Sequence, residues 1–170
     1  MMNRDVKTIA LTACAAGVVR RASRSLTRLY DDHLARAGVT TAQFSILRTL
    51  QRCGGRMSLA DLVHDLVSER TSVYRALSPL RRAGLVIVRT GTDRRAHDVA
   101  LTARGERRID EAMPHWAAAQ QMVLDEFGAA AWSTLAVKLR ALTAIARSAR
   151  TMTATWADGL PARRRHRAAP

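Results

Sequence analysis

Residues 84–102 read GLVIVRTGTDRRAHDVALT, and within this stretch the hydropathy changes period. Just before it, in ERTSVYRALSPLRRAGL (69–85), Val73, Leu77 and Leu80 recur at helical spacing, and Gly84 is a natural helix stop. Beyond it, Leu85, Ile87 and Arg89 alternate with Val86 and Val88. His97, Val99 and Leu101 alternate likewise with Ala96, Asp98 and Ala100. Alternation of this kind belongs to strands. The segment Thr90–Arg95 between them contains Gly91. The reading is a helix followed by a β-hairpin with a longish loop. The tip of that loop carries Asp93, Arg94 and Arg95, where guanidinium groups contribute nothing to a core.

Working outward, SLADLVHDLV (58–67) opens with Ser58 three residues before Asp61, a capping-box-like start, and its stripe is Leu59, Leu62, Val63 and Leu66. A short turn at Val67-Ser68 joins it to the next helix. Upstream, TTAQFSILRTL (40–50) is capped by Thr40 or Thr41, with Phe44, Leu47 and Leu50 on one face, and RCGGR (52–56) breaks the chain. A first helix is expected from about Asp5 to Ala37, with Val19, Ala22, Leu26, Leu29/Tyr30 and His33/Leu34 as its stripe and Gly38 as its stop. Downstream, Thr102 caps a long helix with Ile109, Met113, Trp116, Gln120, Val123 and Phe127 on one side. Pro114 should kink it. A last helix carries Trp132, Leu135, Leu139, Leu142 and Ile145. From about Arg150 the pattern is lost, and PARRRHRAAP (161–170) reads as a basic, disordered tail.

Three short helices followed by a hairpin make a winged helix, and two of those helices joined by a tight turn make a helix-turn-helix. The fold class is therefore mainly α with a small β-hairpin: a winged helix-turn-helix core (38–103) flanked by long N- and C-terminal helices (5–37 and 104–148). Those flanking stripes carry more apolar surface than a small winged helix covers alone. A second copy is the expected cover. A two-fold dimer would set two recognition helices on a pseudo-palindrome about one helical turn apart.

The charge agrees. Lys+Arg number 28 against 14 Asp+Glu, a formal net charge of +14. Only Lys7 and Lys138 are lysines, and Arg is the better residue for bidentate phosphate and guanine contacts. Such an excess implies an anionic partner. No apolar run has membrane-spanning length, and TIALTACAAGVV (8–19) is followed at once by Arg20, Arg21, Arg24 and Arg28, so it starts an amphipathic helix rather than an export signal. Cys14 and Cys53 are too few for a disulfide framework, and a cytoplasmic location is expected. No enzyme signature and no metal-ligand spacing occurs, so neither catalysis nor a cofactor is expected.

On the helix after the turn, Arg70, Thr71, Ser72, Tyr74 and Arg75 are left on the outer face near the N-terminus. That is the end of a recognition helix that meets base edges and phosphates. A solvated face is the bland alternative, and the position just after the turn weighs against it. Arg81 and Arg82 read equally well as phosphate contacts or as ordinary C-terminal cations.

Residues 40–110 resemble the MarR-type winged-helix regulators: TTAQFSIL, SLADLVHDL, ERTSVYRALSPLRRAGLV and DRRAHDVALTARGERRIDEA occur in that order. The most specific piece is Asp93-Arg94-Arg95 followed by Leu101-Thr102-Ala103-Arg104-Gly105, and the flanking helices extend the resemblance to roughly 5–150. It implies a homodimeric, ligand-responsive transcription regulator, most often a repressor, that binds a double-stranded operator. Its first and last two helices would interlock two protomers. Arg95 would enter a minor groove, steadied by Asp93. It also implies a crevice for a small aromatic or phenolic ligand near Tyr30, His33 and Phe44, although each of these taken singly is better accounted for as core or partly buried filler. A branch of the family senses hydroperoxides through a first-helix Cys. Aligned on LTRLYDDHL, that Cys falls at Ala16, two residues from Cys14, and no second Tyr is present in this helix. The apolar residues after Cys14 favour an inert buried thiol. Two other functions stay open: a non-specific architectural nucleic-acid-binding protein, suggested by the charge, and a thiol-redox regulator through Cys14.

Overall fold

The computed structural model describes residues 14–66, 70–90 and 97–158. Helix α1 (Ala15–Leu34) tightens into a 3-10 turn at Ala35–Ala37. Gly38, at φ 67°, then donates to the Ala35 carbonyl, and Val39 donates to that of Leu34. This left-handed close ends the helix where the sequence places the stop, with its last turn wound more tightly than an α-helix. The expected stretch 5–13 lies outside the described residues.

Helix α2 (Thr41–Arg52) starts in a complete capping box. Thr40 Oγ1 accepts from the Gln43 N–H, and Gln43 Oε1 accepts from the Thr40 N–H. Asp31 Oδ1 accepts the next amide, that of Thr41, at 2.6 Å, which ties α1 to the start of α2. Phe44, Ile46, Leu47 and Leu50 are buried along α2.

No periodicity predicts a strand at 56–58, yet Arg56–Ser58 forms β1. It pairs antiparallel with β3 (His97–Leu101), which pairs antiparallel with β2 (Val86–Thr90). The sheet therefore has three strands in the order β1-β3-β2 rather than two. Three residues are too short to show alternation, and their partner lies far along the chain.

Helix α3 (Leu59–Asp65) begins at Ser58, whose Oγ accepts from the Asp61 N–H as expected. Helix α4 (Arg70–Arg82) buries Val73, Leu77 and Leu80. Pro79 has no N–H for the Arg75 carbonyl, but the helix runs through it without a break. Gly84, at φ 68°, closes α4: Gly84 donates to Arg81 and Leu85 to Leu80. The turn Val67-Ser68 lies outside the described residues.

Helix α5 (Ala103–Phe127) passes through Pro114 as one element, and α6 (Ala129–Asp158) follows. The helical run thus continues past Arg150, where the pattern was expected to end. The sequence TMTATWAD holds neither Gly nor Pro, and Gly159 is the first breaker. The chain divides into Met1–Met122 and Val123–Pro170. In the first unit one aliphatic cluster joins α1, α2, α3, α4, the sheet and the first half of α5. Leu34, Leu47, Leu50, Leu62, Val99 and Ala112 are wholly enclosed.

Candidate nucleic-acid interface

Helix α4 is held by its inner face and offers its outer one. Val73, Leu77 and Leu80 fix its rotation against the core, so Arg70, Thr71, Ser72, Tyr74 and Arg75 are all exposed. Four arginines and no acid lie on α4. Tyr74 is a large, largely apolar side chain left 40% exposed, which is unusual for a ring that could have joined the core. Together with Leu77, Ser78 and Arg81 it lines a surface hollow of about 300 Å³. Arg82 Nη1 donates to Ser78 Oγ at 3.1 Å, so the Arg82 head is partly committed along its own helix. Arg70 and Arg75 form no ion pair among the described residues. Unpaired guanidiniums beside hydroxyls and an exposed ring suit contact with phosphates and base edges.

The wing is anchored to α4 through one small junction. Thr102 Oγ1 donates toward the Gly84 carbonyl at 2.8 Å and the Leu85 carbonyl at 3.1 Å. The same oxygen accepts the Gly105 N–H at 3.0 Å, capping α5. The Thr102 amide also donates to the Leu85 carbonyl at 3.2 Å. A Cβ on Gly105 would stand 2.2 Å from that carbonyl oxygen, so only glycine lets the first turn of α5 approach. The Leu-Thr-x-x-Gly run is thus a clasp joining the end of α4, the start of β2 and the start of α5.

On the inner face of the sheet, Val86 and Val99 are buried. On its outer face Asp98 stands opposite Arg89 in β2 and Ser58 in β1, and it forms an ion pair with Arg56. Arg56 and Asp98 drew no attention in the sequence, because the strand that brings them together was not visible there. Asp93, Arg94 and Arg95 lie outside the described residues. The strands that would carry them are in register up to Thr90 opposite His97.

The three expected crevice residues have different surroundings. Phe44 is 4% exposed and belongs to the core cluster, with its ring centroid 6.5 Å from that of Trp116. Tyr30 is half-buried. Its hydroxyl donates to Gln120 Oε1 at 2.7 Å, and burial pushes its pKa up. His33 is also half-buried, one turn along α1 from Tyr30. A further junction had no sequence signal: Arg108 on α5 donates to the Ala37 carbonyl at 2.6 Å and pairs with Glu111. Cys14 and Cys53 are both exposed free thiols. For Cys14 this corrects the expected burial. It sits at the N-terminal edge of α1, where its apolar neighbours Val18 and Val19 are themselves exposed. Among the described residues no cluster could hold a metal ion, and no helix is long and apolar enough to cross a membrane.

A helix-turn-helix with a three-stranded wing and a cationic outer helix defines a DNA-binding protein. The family model described as a winged helix DNA-binding domain matches residues 39–105. The M. tuberculosis transcriptional regulator MosR, solved in complex with DNA, is 33% identical, with a TM-score of 0.72, over 81% of this chain and 99% of that one. Bordetella bronchiseptica BpsR, whose DNA binding is regulated by 6-hydroxynicotinic acid, is 25% identical with a TM-score of 0.66, over 75% of this chain and 97% of that one. AbsC, a MarR family transcriptional regulator from Streptomyces coelicolor, shares the fold at 21% identity and a TM-score of 0.67, over 87% of this chain and 98% of that one. Comparison with curated proteins gives no match. The chain belongs to the MarR family and is a winged-helix, DNA-binding transcription regulator.

Proposed function

We propose that the chain acts in the cytoplasm as a homodimeric repressor that reads a pseudo-palindromic operator and is released by a small aromatic or phenolic ligand. The observation that carries the DNA-reading part is the outer face of α4. Arg70, Thr71, Ser72, Tyr74 and Arg75 are exposed together while Val73, Leu77 and Leu80 lock the helix behind them. In this reading α4 enters a major groove. Asp93 orients Arg95, beside Arg94, for an adjacent minor groove, which attracts such an Arg most strongly where it is narrow and A·T-rich.

The dimer is supported by apolar side chains that the single chain leaves in water. Phe127 is 51% exposed, Val137 59% and Ile145 66%. Large apolar side chains left exposed at several positions of one helix pair suit an interaction surface. The ligand is supported by the polar pair Tyr30–Gln120 beside His33, and by the regulation of BpsR by 6-hydroxynicotinic acid. Binding of the protein to its own upstream DNA, with and without a panel of aromatic acids, tests the whole reading. Loss of binding with one acid, at an unchanged dimer mass, is the expected result.

A further inference from the structure

Helix α1 carries a second cationic surface that the reading of α4 does not use. At 3.6 residues per turn, Arg20, Arg21, Arg24 and Arg28 all project into an arc of about 100°. Val18, Val19, Ala22, Leu26 and Leu29 project from the opposite side. All four arginines are exposed. No acid lies between Ala15 and Tyr30; Asp31 and Asp32 follow only at the far end, where Asp31 is engaged by the Thr41 amide. None of the four pairs with a carboxylate among the described residues. Arg20/Arg24 and Arg24/Arg28 are like charges at i,i+4, an arrangement that weakens an isolated helix. A merely solvated face is better served by alternating signs. Arg20, Arg24 and Arg28 step along the axis by roughly 6 Å each, comparable to the separation of neighbouring phosphates on one strand.

We propose that this face of α1 is a second phosphate-binding surface, which grips the backbone of duplex DNA independently of the bases read by α4. Guanidiniums spaced in this way neutralise phosphates and release their counterions, adding affinity without sequence preference. This grip does not depend on which bases α4 contacts.

The test compares wild type, R20Q/R24Q/R28Q and R70Q/R75Q as full chains. Each binds a duplex from the upstream region and a random-sequence duplex across a salt series. The R20Q/R24Q/R28Q chain is expected to flatten the slope of log K against log salt by roughly three for each protomer that grips the duplex, on both duplexes. The ratio of upstream to random affinity should stay the same. R20K/R24K/R28K should restore the slope. Arg24→Gln alone should lower it by about one per protomer, so the proposal stays testable if the triple variant folds poorly. An unchanged slope on both duplexes overturns the proposal. So does a loss seen only on phosphatidylserine vesicles, which would make the face a membrane-surface helix. If R70Q/R75Q leaves the affinity ratio unchanged, the α4 reading fails, while the slopes still decide the role of α1.

Discussion

The Tyr30 hydroxyl on α1 donates to Gln120 Oε1 on α5, joining residues ninety positions apart. One hydrogen bond thus links α1 to the far part of α5. Tyr30→Phe removes it with little change in volume and leaves the Gln120 carbonyl without that donor. The expected cost is about 1 kcal/mol in chemical denaturation. The alkaline limb separates this bond from simple packing. Burial raises the Tyr30 pKa, so its contribution is fully present below the ordinary tyrosine value near 10 and is lost as pH rises through the raised one. The variant should therefore lose stability less steeply than wild type above about pH 10. Parallel slopes would contradict this assignment.

The clasp at Thr102 and Gly105 gives a second prediction. A Cβ at Gly105 meets the Leu85 carbonyl oxygen at 2.2 Å and Leu101 Cδ1 at 2.7 Å. One of these is backbone, so the helix or the strand must move. Gly105→Ala should cost roughly 1–3 kcal/mol, seen as a melting temperature lower by about 2–4 °C per kcal/mol. Wing and α4 would shift together, so operator affinity should fall as well. A melting temperature equal to wild type would show that the junction is slack.

Much of this clasp was legible, and the reason is local chemistry. Thr102, Ser58 and Thr40 are caps whose partners lie three residues on, and Gly84 and Gly38 close helices with bonds to the preceding turn. Signals of that range are written in a few adjacent residues. The outer face of α4 was legible for the same reason, since Val73, Leu77 and Leu80 fix which side faces in. Strand β1 was not, because three residues hold no period and only β3, some forty residues on, makes them a strand. The Arg56–Asp98 pair and the Arg108–Ala37 contact were hidden behind tertiary neighbours in the same way. Phe44 shows the converse. Its aromatic ring invites a ligand reading, yet Trp116 on α5 closes over it and makes it core.

The apolar side chains left in water predict an association. Phe127→Asp or Ile145→Asp places a charge where 51% and 66% of the wild-type residue is exposed in the single chain, so neither should unfold the monomer. Wild type is expected at twice the 18.7 kDa chain mass in light scattering, and either variant should shift toward the single chain. A wild-type monomer at micromolar concentration would remove the dimer from the account.

The wing gives a prediction that needs only one substitution. Arg95→Ala should weaken operator binding by roughly 1–3 kcal/mol, and most at sites whose flanks are A·T-rich and narrow. Arg94→Ala should cost less if Arg95 is the residue that enters the groove. The reverse order would exchange their roles without touching α4.

The central claim is that the outer face of α4 reads sequence, and competition binding tests it most directly. The protein should prefer its own upstream DNA over a scrambled duplex of the same length by at least about a thousandfold at physiological salt. A chain carrying Tyr74→Ala and Arg75→Ala should lose most of that preference while keeping its fold. Equal affinity of the wild-type protein for the two duplexes would contradict the claim and leave a cationic, non-specific binder in its place.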